Sequence, residues 1–364
     1  MADVKPFRAV RYETGKAGPL EDLVAPPYDV VSPEERDRLA ARSPFNVVHL
    51  TLPEREEEAA ERWREWRAEG ALREEPPAFW ALSQDYVGPD GVARTRTGLA
   101  AALRVEPYER RVVLPHERTH RGPKEGRLRL LRAVRAHVEP IFLLYDGAAP
   151  FQVPTAPPDL EVDGTRLWRL ADEELGEVFT DRQLLIADGH HRYETALTFY
   201  EEDGTEDSAY LLAVLVSTSD PGVTIFPTHR VFERSPNGHG DRGGVIEPDA
   251  ASAVRALERL PQDRAAAVEY VPGRASLTTG DHGVLDVQLV DRLGHEGIAY
   301  TPDWREAVRR VDEGEAAVAY LVRPPGIDQV FAAAARGETL PQKTTYFYPK
   351  LLSGLLFFPL AAAS

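Results

Sequence analysis

Five consecutive residues combine a carboxylate, a glycine, two imidazoles and a guanidinium: Asp188, Gly189, His190, His191 and Arg192. The apolar run at 184–187 predicts a strand before them, and apolar residues at helical spacing from Tyr193 to Tyr200 predict a helix after them. A strand, a tight turn and a helix point backbone N–H groups and the positive helix end at an anion. Because arginine can grip a phosphate with two parallel hydrogen bonds, we predict a phosphate-binding corner. The alternative is a plain helix start, with Asp188 as N-cap and the basic side chains satisfying local carboxylates.

Four further segments carry polar side chains suited to catalysis or phosphate binding. Their candidate residues are Asp29, His116, Glu117, Lys124, Thr228, His229, Arg230 and Lys343. We predict Glu117, His116 and Asp29 as catalytic groups, because a carboxylate or imidazole can act as a general base. The others are predicted to contact substrate or phosphate. Each segment also has an ordinary interpretation: a charged surface loop at 114–124, a turn at 26–29, an exposed basic pair at 228–230 and packed aromatic side chains at 341–350.

The elements that position these residues mix helix and strand. Ser32 followed by Pro33 predicts a capped helix start, and a helix of mixed charge at 54–69 should end at Gly70. Asp328 is predicted to cap a helix that stops at Gly337. The predicted strands lie at 78–105 around a turn at 89–91, and at 141–145, 184–187, 211–216 and 223–226, with a connector at 149–158 and a loop at 235–244. This pattern predicts a mixed α/β fold of the α+β class.

Composition excludes several kinds of function. The chain has 364 residues and no cysteine, so disulfides and thiol chemistry are impossible. Its formal net charge of -16 disfavours nucleic-acid binding, which needs a positive surface. The apolar stretch 351–360 is interrupted by Gly354 and Pro359 and is shorter than the roughly 20 residues of a membrane span. We therefore expect a cytoplasmic protein with no membrane partner; heavy use of Arg, Glu and Pro suggests a thermophile.

Familiar nucleotide-binding motifs are missing. The sequence has no GxxxxGK[ST] loop and no GxGxxG turn. Adjacent histidines diverge by about 100° on a helix, so a zinc site that uses both His190 and His191 is disfavoured. The sequence names no metal ligands and does not fix the oligomeric state.

Five blocks in fixed order make the chain similar to a known family. They are 25–30 (APPYDV), 115–119 (PHERT), 187–196 (ADGHHRYETA), 227–230 (PTHR) and 341–350 (PQKTTYFYPK). Together they closely resemble the bacterial and archaeal family called domain of unknown function 1015, over about residues 5 to 360. The chain departs from the family pattern at Gly126, where relatives usually carry an acidic residue, and at Thr344, where they usually carry serine.

The resemblance implies both a fold and an activity. Some members of the family are described as ATP-dependent kinases of free L-serine, and 188–192 resembles the phosphate-binding turn of the ParB/sulfiredoxin superfamily. It implies a ParB/sulfiredoxin-like nucleotide-binding core at 76–245, with an N-terminal segment at 1–75 packing on it and a C-terminal α/β region at 246–364 closing the site. Gly189 to Arg192 would then hold ATP phosphates, with Mg²⁺ bridging those phosphates to acidic side chains. The expected reaction gives O-phosphoserine.

Two other functions stay open. The same corner could serve a nucleotide-binding switch or scaffold that transfers no phosphate, as ParB relatives do with CTP. DNA binding or nuclease action is disfavoured by the negative net charge. A sulfiredoxin-like reductase is excluded, because that chemistry needs a cysteine.

Overall fold

The computed structural model describes residues 1–117, 121–236 and 244–361. Its α-helices are α1 (Thr14–Ala17), α2 (Pro33–Arg42), α3 (Val48–Thr51), α4 (Glu56–Ala68), α5 (Arg121–Val134), α6 (His190–Asp203), α7 (Ala250–Glu258), α8 (Asp286–Asp291), α9 (Trp304–Asp312) and α10 (Ile327–Ala335). Short 3-10 helices also occur, among them Tyr28–Val30. The fold is mixed α+β, which confirms the predicted class.

The strands are numbered separately along the chain. They are β1 (Val4–Lys5), β2 (Val10–Tyr12), β3 (Leu72–Glu74), β4 (Phe79–Val87), β5 (Ala93–Arg104), β6 (Val113–Leu114), β7 (Ala136–His137), β8 (Ile141–Tyr145), β9 (Leu160–Val162), β10 (Thr165–Leu170), β11 (Leu184–Asp188), β12 (Tyr210–Ser217), β13 (Thr224–Phe226), β14 (His229–Phe232), β15 (Val245–Glu247), β16 (Arg264–Val271), β17 (Arg274–His282), β18 (Ile298–Thr301), β19 (Val318–Leu321), β20 (Tyr346–Tyr348) and β21 (Phe358–Pro359).

The chain divides into two compact units. The first contains residues 1–88, 93–223 and 349–364, and the second contains 89–92 and 224–348. The chain therefore leaves the first unit and returns to it for its last residues. The three-part division at 75 and 245 stays a prediction.

The first unit is built on a mixed sheet with the order β6-β11-β8-β12-β5-β4-β10-β9, and β1 pairs with β5. β11 runs parallel to β6 and β12 runs parallel to β8, whereas the other pairs are antiparallel. The apolar stripe predicted from Tyr193 to Tyr200 packs α6 on this sheet, with Tyr193 and Ala196 in the main core. Burial of apolar surface stabilises the folded state by roughly 25 cal/mol per Å². The buried apolar face of α6 therefore holds the helix against the sheet at the end of β11.

The second unit has a six-stranded sheet with the order β15-β17-β16-β19-β14-β18. One core contains Ala253 of α7 and Val311 of α9, and a second core contains Val287 of α8. Inside this unit Arg323 is buried against Asp286, with 2.8 Å between Nη2 and Oδ1. β13 and β20 form a separate two-stranded ribbon.

Most predicted elements are confirmed and one helix cap is wrong. Ser32 Oγ accepts the Glu35 amide at 3.2 Å, as a Ser cap before Pro33 predicts. The mixed-charge helix is α4, and the hairpin around 89–91 is β4–β5. Gly326, and not Asp328, is the N-cap of α10, so Asp328 lies in the first turn. Residues 237–243 of the predicted loop lie outside the described part of the chain.

No helix in the described ranges has both the length and the apolar character to cross a bilayer.

Candidate functional site

The strand, turn and helix predicted around Gly189 are present. β11 ends at Asp188, Gly189 is the N-cap in the left-handed region with φ 96° and ψ 29°, and α6 begins at His190. A Cβ atom at Gly189 would lie 2.8 Å from Ile141 Cγ2, and Ile141 is fully buried. The turn therefore requires glycine for its conformation and for its close contact with β8.

Replacing Gly189 with alanine is expected to lower the free energy of unfolding by about 2 kcal/mol or more, from left-handed strain and from the clash with Ile141. Gly204, at the other end of α6, is a matched control: it has φ 67°, and a Cβ there meets no atom within 4 Å. Urea unfolding of both variants measures the difference. Equal losses for Gly189→Ala and Gly204→Ala would show that the contact with Ile141 has no cost.

Asp188 is held between two cations and is not the cap of α6. Its Oδ2 accepts a hydrogen bond from Arg192 Nη2 at 2.6 Å, and its Oδ1 accepts one from Lys350 Nζ. The side chain of Asp188 is 14% exposed and that of Lys350 is 19% exposed. Burial alone would raise the pKa of Asp188, but the charges of Lys350 and Arg192 outweigh burial and hold the pKa at about 2. The carboxylate is therefore ionised at neutral pH.

Arg192 makes internal contacts on both sides of its guanidinium. Nη1 donates to the carbonyl of Pro140 and Nη2 to Asp188. Burial lowers the pKa of Arg192, but the nearby carboxylates of Asp188, Glu139 and Asp29 raise it above its ordinary value. The local pairing that the plain helix start predicts is therefore present, and a phosphate bound here would share Arg192 with Asp188.

His190 and His116 form a buried pair of neutral imidazoles. The backbone amide of His116 lies 3.4 Å from His190 Nε2, and the two ring centroids are 4.7 Å apart. Burial lowers the pKa of His116 to about 4, and burial together with His116 lowers the pKa of His190 well below its ordinary value. A neutral ring that accepts a hydrogen bond at Nε2 can donate one from Nδ1. His190 can thus offer a donor to an anion without adding charge, while His191 is half-buried.

The loop that carries Asp29 is tied down by Glu139. Glu139 Oε1 accepts hydrogen bonds from the Tyr28 amide at 2.9 Å and from Ser353 Oγ at 3.1 Å. Arg127 lies 4.2 Å above the Tyr28 ring and 3.7 Å from Glu139 Oε2. Glu139 is buried, whereas Asp29 is exposed. The loop therefore presents Asp29 to solvent within the electrostatic range of Arg192.

The segment around Glu117 is described only in part. Glu117 is half-buried and immediately precedes residues 118–120, so Thr119 of the predicted motif lies outside the described chain. Lys124, in α5, pairs with Glu194 of α6 at 3.2 Å. Lys124 therefore lies beside the helix that starts at the corner, and its phosphate role stays a prediction.

The other predicted contacts lie in the second unit. Arg230 is buried and donates to the carbonyl of Lys343 at 3.2 Å and to that of Thr228. His229 Nδ1 accepts the Val322 amide at 3.2 Å, and burial lowers the pKa of His229 to about 3. Burial likewise lowers the pKa of Arg230 to about 10. Arg230 thus links Thr228 to Lys343, whose φ is 57°. Their predicted contact with substrate or phosphate stays a prediction.

The sequence model of the family described as protein of unknown function, DUF1015, matches residues 4–243. The chain belongs to the DUF1015 family. The match includes the corner at 188–192 and the segments around Asp29 and Glu117. The ParB/sulfiredoxin-like character of the core stays a prediction.

Several solved structures are similar to this DUF1015 chain. A free serine kinase in complex with AMP is 17% identical and covers 67% of this chain and 89% of its own, with a TM-score of 0.40. A mutant free serine kinase in complex with ADP is 16% identical with the same coverages and a TM-score of 0.40. A conserved hypothetical protein from Pyrococcus furiosus is 18% identical and covers 67% of this chain and 92% of its own, with a TM-score of 0.39. No curated protein matches the chain.

Sequence reasoning missed three charged side chains of this DUF1015 site. Lys350 contacts Asp188, although the prediction for its segment named Lys343. Glu139 connects the Asp29 loop to Ser353. Arg96 is 1% exposed in a central strand. Arg96 could have been noticed as a charged residue in the strand predicted at 78–105. No local sequence pattern distinguishes Lys350 or Glu139.

Proposed function

We propose that this DUF1015 protein is a small-molecule kinase that transfers phosphate from ATP to the hydroxyl of free L-serine. The observation that carries the proposal is the corner at Gly189, where the start of α6 meets Arg192, Lys350 and a neutral imidazole. Phosphoryl transfer depends mostly on positioning and on stabilising charge, and this corner supplies both kinds of group. Membership of the family, some of whose members are described as free serine kinases, supports serine as the acceptor.

The positive charges of Arg192 and Lys350 at the corner are already paired with the carboxylate of Asp188. Asp188 occupies the acceptor position between Arg192 and Lys350, so a phosphate would join this network and not enter an empty cationic pocket. A guanidinium has more N–H donors than the contacts with Asp188 and Pro140 use. Arg192 can therefore keep Asp188 and still donate to a phosphate oxygen.

Magnesium fits this arrangement as part of the nucleotide complex. In the described ranges no group of three or more His, Asp or Glu side chains could hold a metal ion. Mg²⁺ usually keeps several waters and binds through phosphates and about one or two carboxylates. Asp29, exposed and within range of Arg192, is the carboxylate that would accompany a Mg²⁺–ATP complex. The ion would neutralise charge on the phosphates.

The transfer step needs one proton acceptor. The serine Oγ forms a bond with the γ-phosphorus of ATP, the bond from that phosphorus to the bridging β-phosphate oxygen breaks, and ADP leaves. The hydroxyl proton passes to a carboxylate: Glu117 is the first candidate, and Asp29 is the second if it does not accompany Mg²⁺. Both are accessible in part, whereas His116 is 1% exposed. His116 is thus better placed to orient His190 than to reach a substrate.

The decisive experiment is conversion of ATP and serine to ADP and O-phosphoserine by the purified protein. We expect serine-dependent product from the wild type and a loss of about 100-fold or more in kcat/KM for Arg192→Ala, the typical loss for a group that stabilises transferring charge. Arg132→Ala, at an exposed arginine of the same unit that pairs with Glu202, is the control. No phosphorylated product from ATP or ADP with any amino acid would refute the kinase.

The second candidate is a nucleotide-binding switch without transfer. It is favoured by the internal contacts of Arg192, which leave fewer donors for a reacting phosphate. Tight nucleotide binding without turnover, together with a nucleotide-dependent change in sedimentation, would support the switch.

A further inference from the structure

Lys350 is one of the two cations that contact Asp188 at the candidate phosphate-binding corner. It belongs to the segment 349–364, which returns to the first unit. Its ammonium group contacts Asp188 Oδ1, and both side chains are mostly shielded from solvent. The charges of Lys350 and Arg192 both lower the pKa of Asp188. An ammonium so close to the start of α6 is placed to contact any phosphate bound there.

Arg96 fixes the backbone immediately before Lys350. It lies in β5, is 1% exposed, and its Nη2 donates to the Pro349 carbonyl at 2.8 Å and to Gln84 Oε1 at 2.5 Å. Its guanidinium lies 4.5 Å over the ring of Phe142 in β8. Burial lowers the pKa of Arg96 to about 10, which still leaves it charged at neutral pH. These contacts hold the group in one orientation.

A buried arginine is costly for a fold unless it is paired. Replacing such a charge with a well-packed apolar side chain is often neutral or stabilising by about 1–4 kcal/mol. The hydrogen bonds and ring contact of Arg96 are with neutral groups, namely a carbonyl, an amide and an aromatic ring. The carboxylates of Asp220 and Asp188 raise its pKa as nearby charges, but burial outweighs them. Core stability alone therefore gives little reason for a charge here. The hydrogen bond from Arg96 to the carbonyl of Pro349, one residue before Lys350, does give a reason for the charge.

We propose that Lys350 is a phosphate-binding residue and that Arg96 is the positioning residue that holds it, through the Pro349 carbonyl, at the corner. This inference rests on the proposed nucleotide binding at Asp188–Arg192. Two claims follow. Removal of the Lys350 charge should weaken nucleotide binding directly, and removal of Arg96 should weaken it only while Lys350 is present.

A double-mutant cycle tests both claims. Lys350→Met, Arg96→Met and the double variant are titrated with ADP by calorimetry, each at more than one salt concentration. We expect Lys350→Met to weaken binding about 10-fold or more and to reduce its salt dependence, and Arg96→Met to weaken it about 5-fold in the presence of Lys350. In the Lys350→Met background, Arg96→Met should change affinity less than 2-fold (about 0.4 kcal/mol). Arg132→Met, which breaks an exposed pair with Glu202, is the control and should leave the affinity unchanged.

A second readout separates this inference from the proposed function. The Asp188 carboxyl titration, followed by NMR, should shift upward in Lys350→Met and in Arg96→Met. The shift caused by Arg96→Met should be smaller once Lys350 is gone, because only the direct charge of Arg96 on Asp188 is then lost. If the wild type binds no nucleotide, the kinase proposal and the phosphate role of Lys350 both fail, while the titration still tests the link from Arg96. Undiminished ADP affinity in Lys350→Met, with a wild type that binds, would overturn the role of Lys350. Equal effects of Arg96→Met in both backgrounds would overturn the positioning role.

Discussion

Asp188→Asn is expected to lower the free energy of unfolding by about 3–5 kcal/mol, the usual cost of leaving a buried partner charge without its opposite. The substitution keeps the shape of the side chain and removes the charge that faces both Arg192 and Lys350. Two shielded cations would then repel each other across the start of α6. Urea unfolding at neutral pH measures the loss. A loss below about 1 kcal/mol would show that the pairs behave like exposed ones.

Nucleotide should reverse part of this loss. If a polyphosphate binds at the corner, its negative charge substitutes for the missing carboxylate, so saturating ADP should raise the Tm of Asp188→Asn more than that of the wild type. Asp203→Asn is the matched control, because Asp203 pairs with Arg135 at 2.7 Å at the opposite end of the same helix. Its stability should also fall, but it should gain no more from ADP than the wild type does. Equal gains in Asp188→Asn and in the wild type would place the phosphates elsewhere.

The strand, turn and helix of the corner could be predicted because the residues that determine them are neighbours in the sequence. Apolar residues at 184–187, a glycine at 189 and the stripe from Tyr193 to Tyr200 lie within one short stretch, and each has a direct structural cause. The strand needs a buried apolar run, the turn needs the left-handed glycine, and the helix needs one apolar face. The resemblance to the family added the functional interpretation of that stretch.

The partners of the corner could not be predicted in the same way. Lys350 lies 162 residues after Asp188 in the chain, and Glu139 meets Tyr28 across 111 residues. Periodicity and capping describe neighbours along the chain and contain no information about such pairs. Residue type also says little about burial: His116 was selected for its imidazole, but the fold buries that ring to 1% exposure.

Acidification from about pH 7 to about pH 5 is expected to destabilise the protein by several kcal/mol, chiefly through buried histidines. Burial lowers the pKa of His116 and of His137 to about 4, that of His229 to about 3, and that of His190 well below its ordinary value. Their folded-state pKa values lie below the unfolded value of about 6.5, so protons bind the unfolded chain first. Stability is therefore complete above about pH 6.5 and is lost as the pH falls towards the folded values.

The size of this effect follows from the shifts. An imidazole whose pKa falls from about 6.5 to about 4 contributes roughly 2 kcal/mol of destabilisation at pH 5. Asp188, with a pKa of about 2, stays ionised in the folded and the unfolded chain throughout this range, so it adds no slope there. Its contribution is lost only as the pH falls from about 4 towards 2. Urea unfolding at the two pH values measures the histidine effect.

Histidine variants and ADP show how much of the pH dependence of stability comes from His190 at the corner and how much from histidines elsewhere. His137, which bonds the Tyr210 carbonyl at 3.0 Å, makes no described contact with the corner, so His137→Gln should reduce the pH slope equally with and without ADP. A phosphate beside His190 favours its protonated form, so ADP should reduce the wild-type slope, and this reduction should vanish in Arg192→Ala. If the stability of the wild type does not change with pH, water reaches these rings in the folded protein. If ADP does not change the pH dependence, His190 is not at the phosphate site.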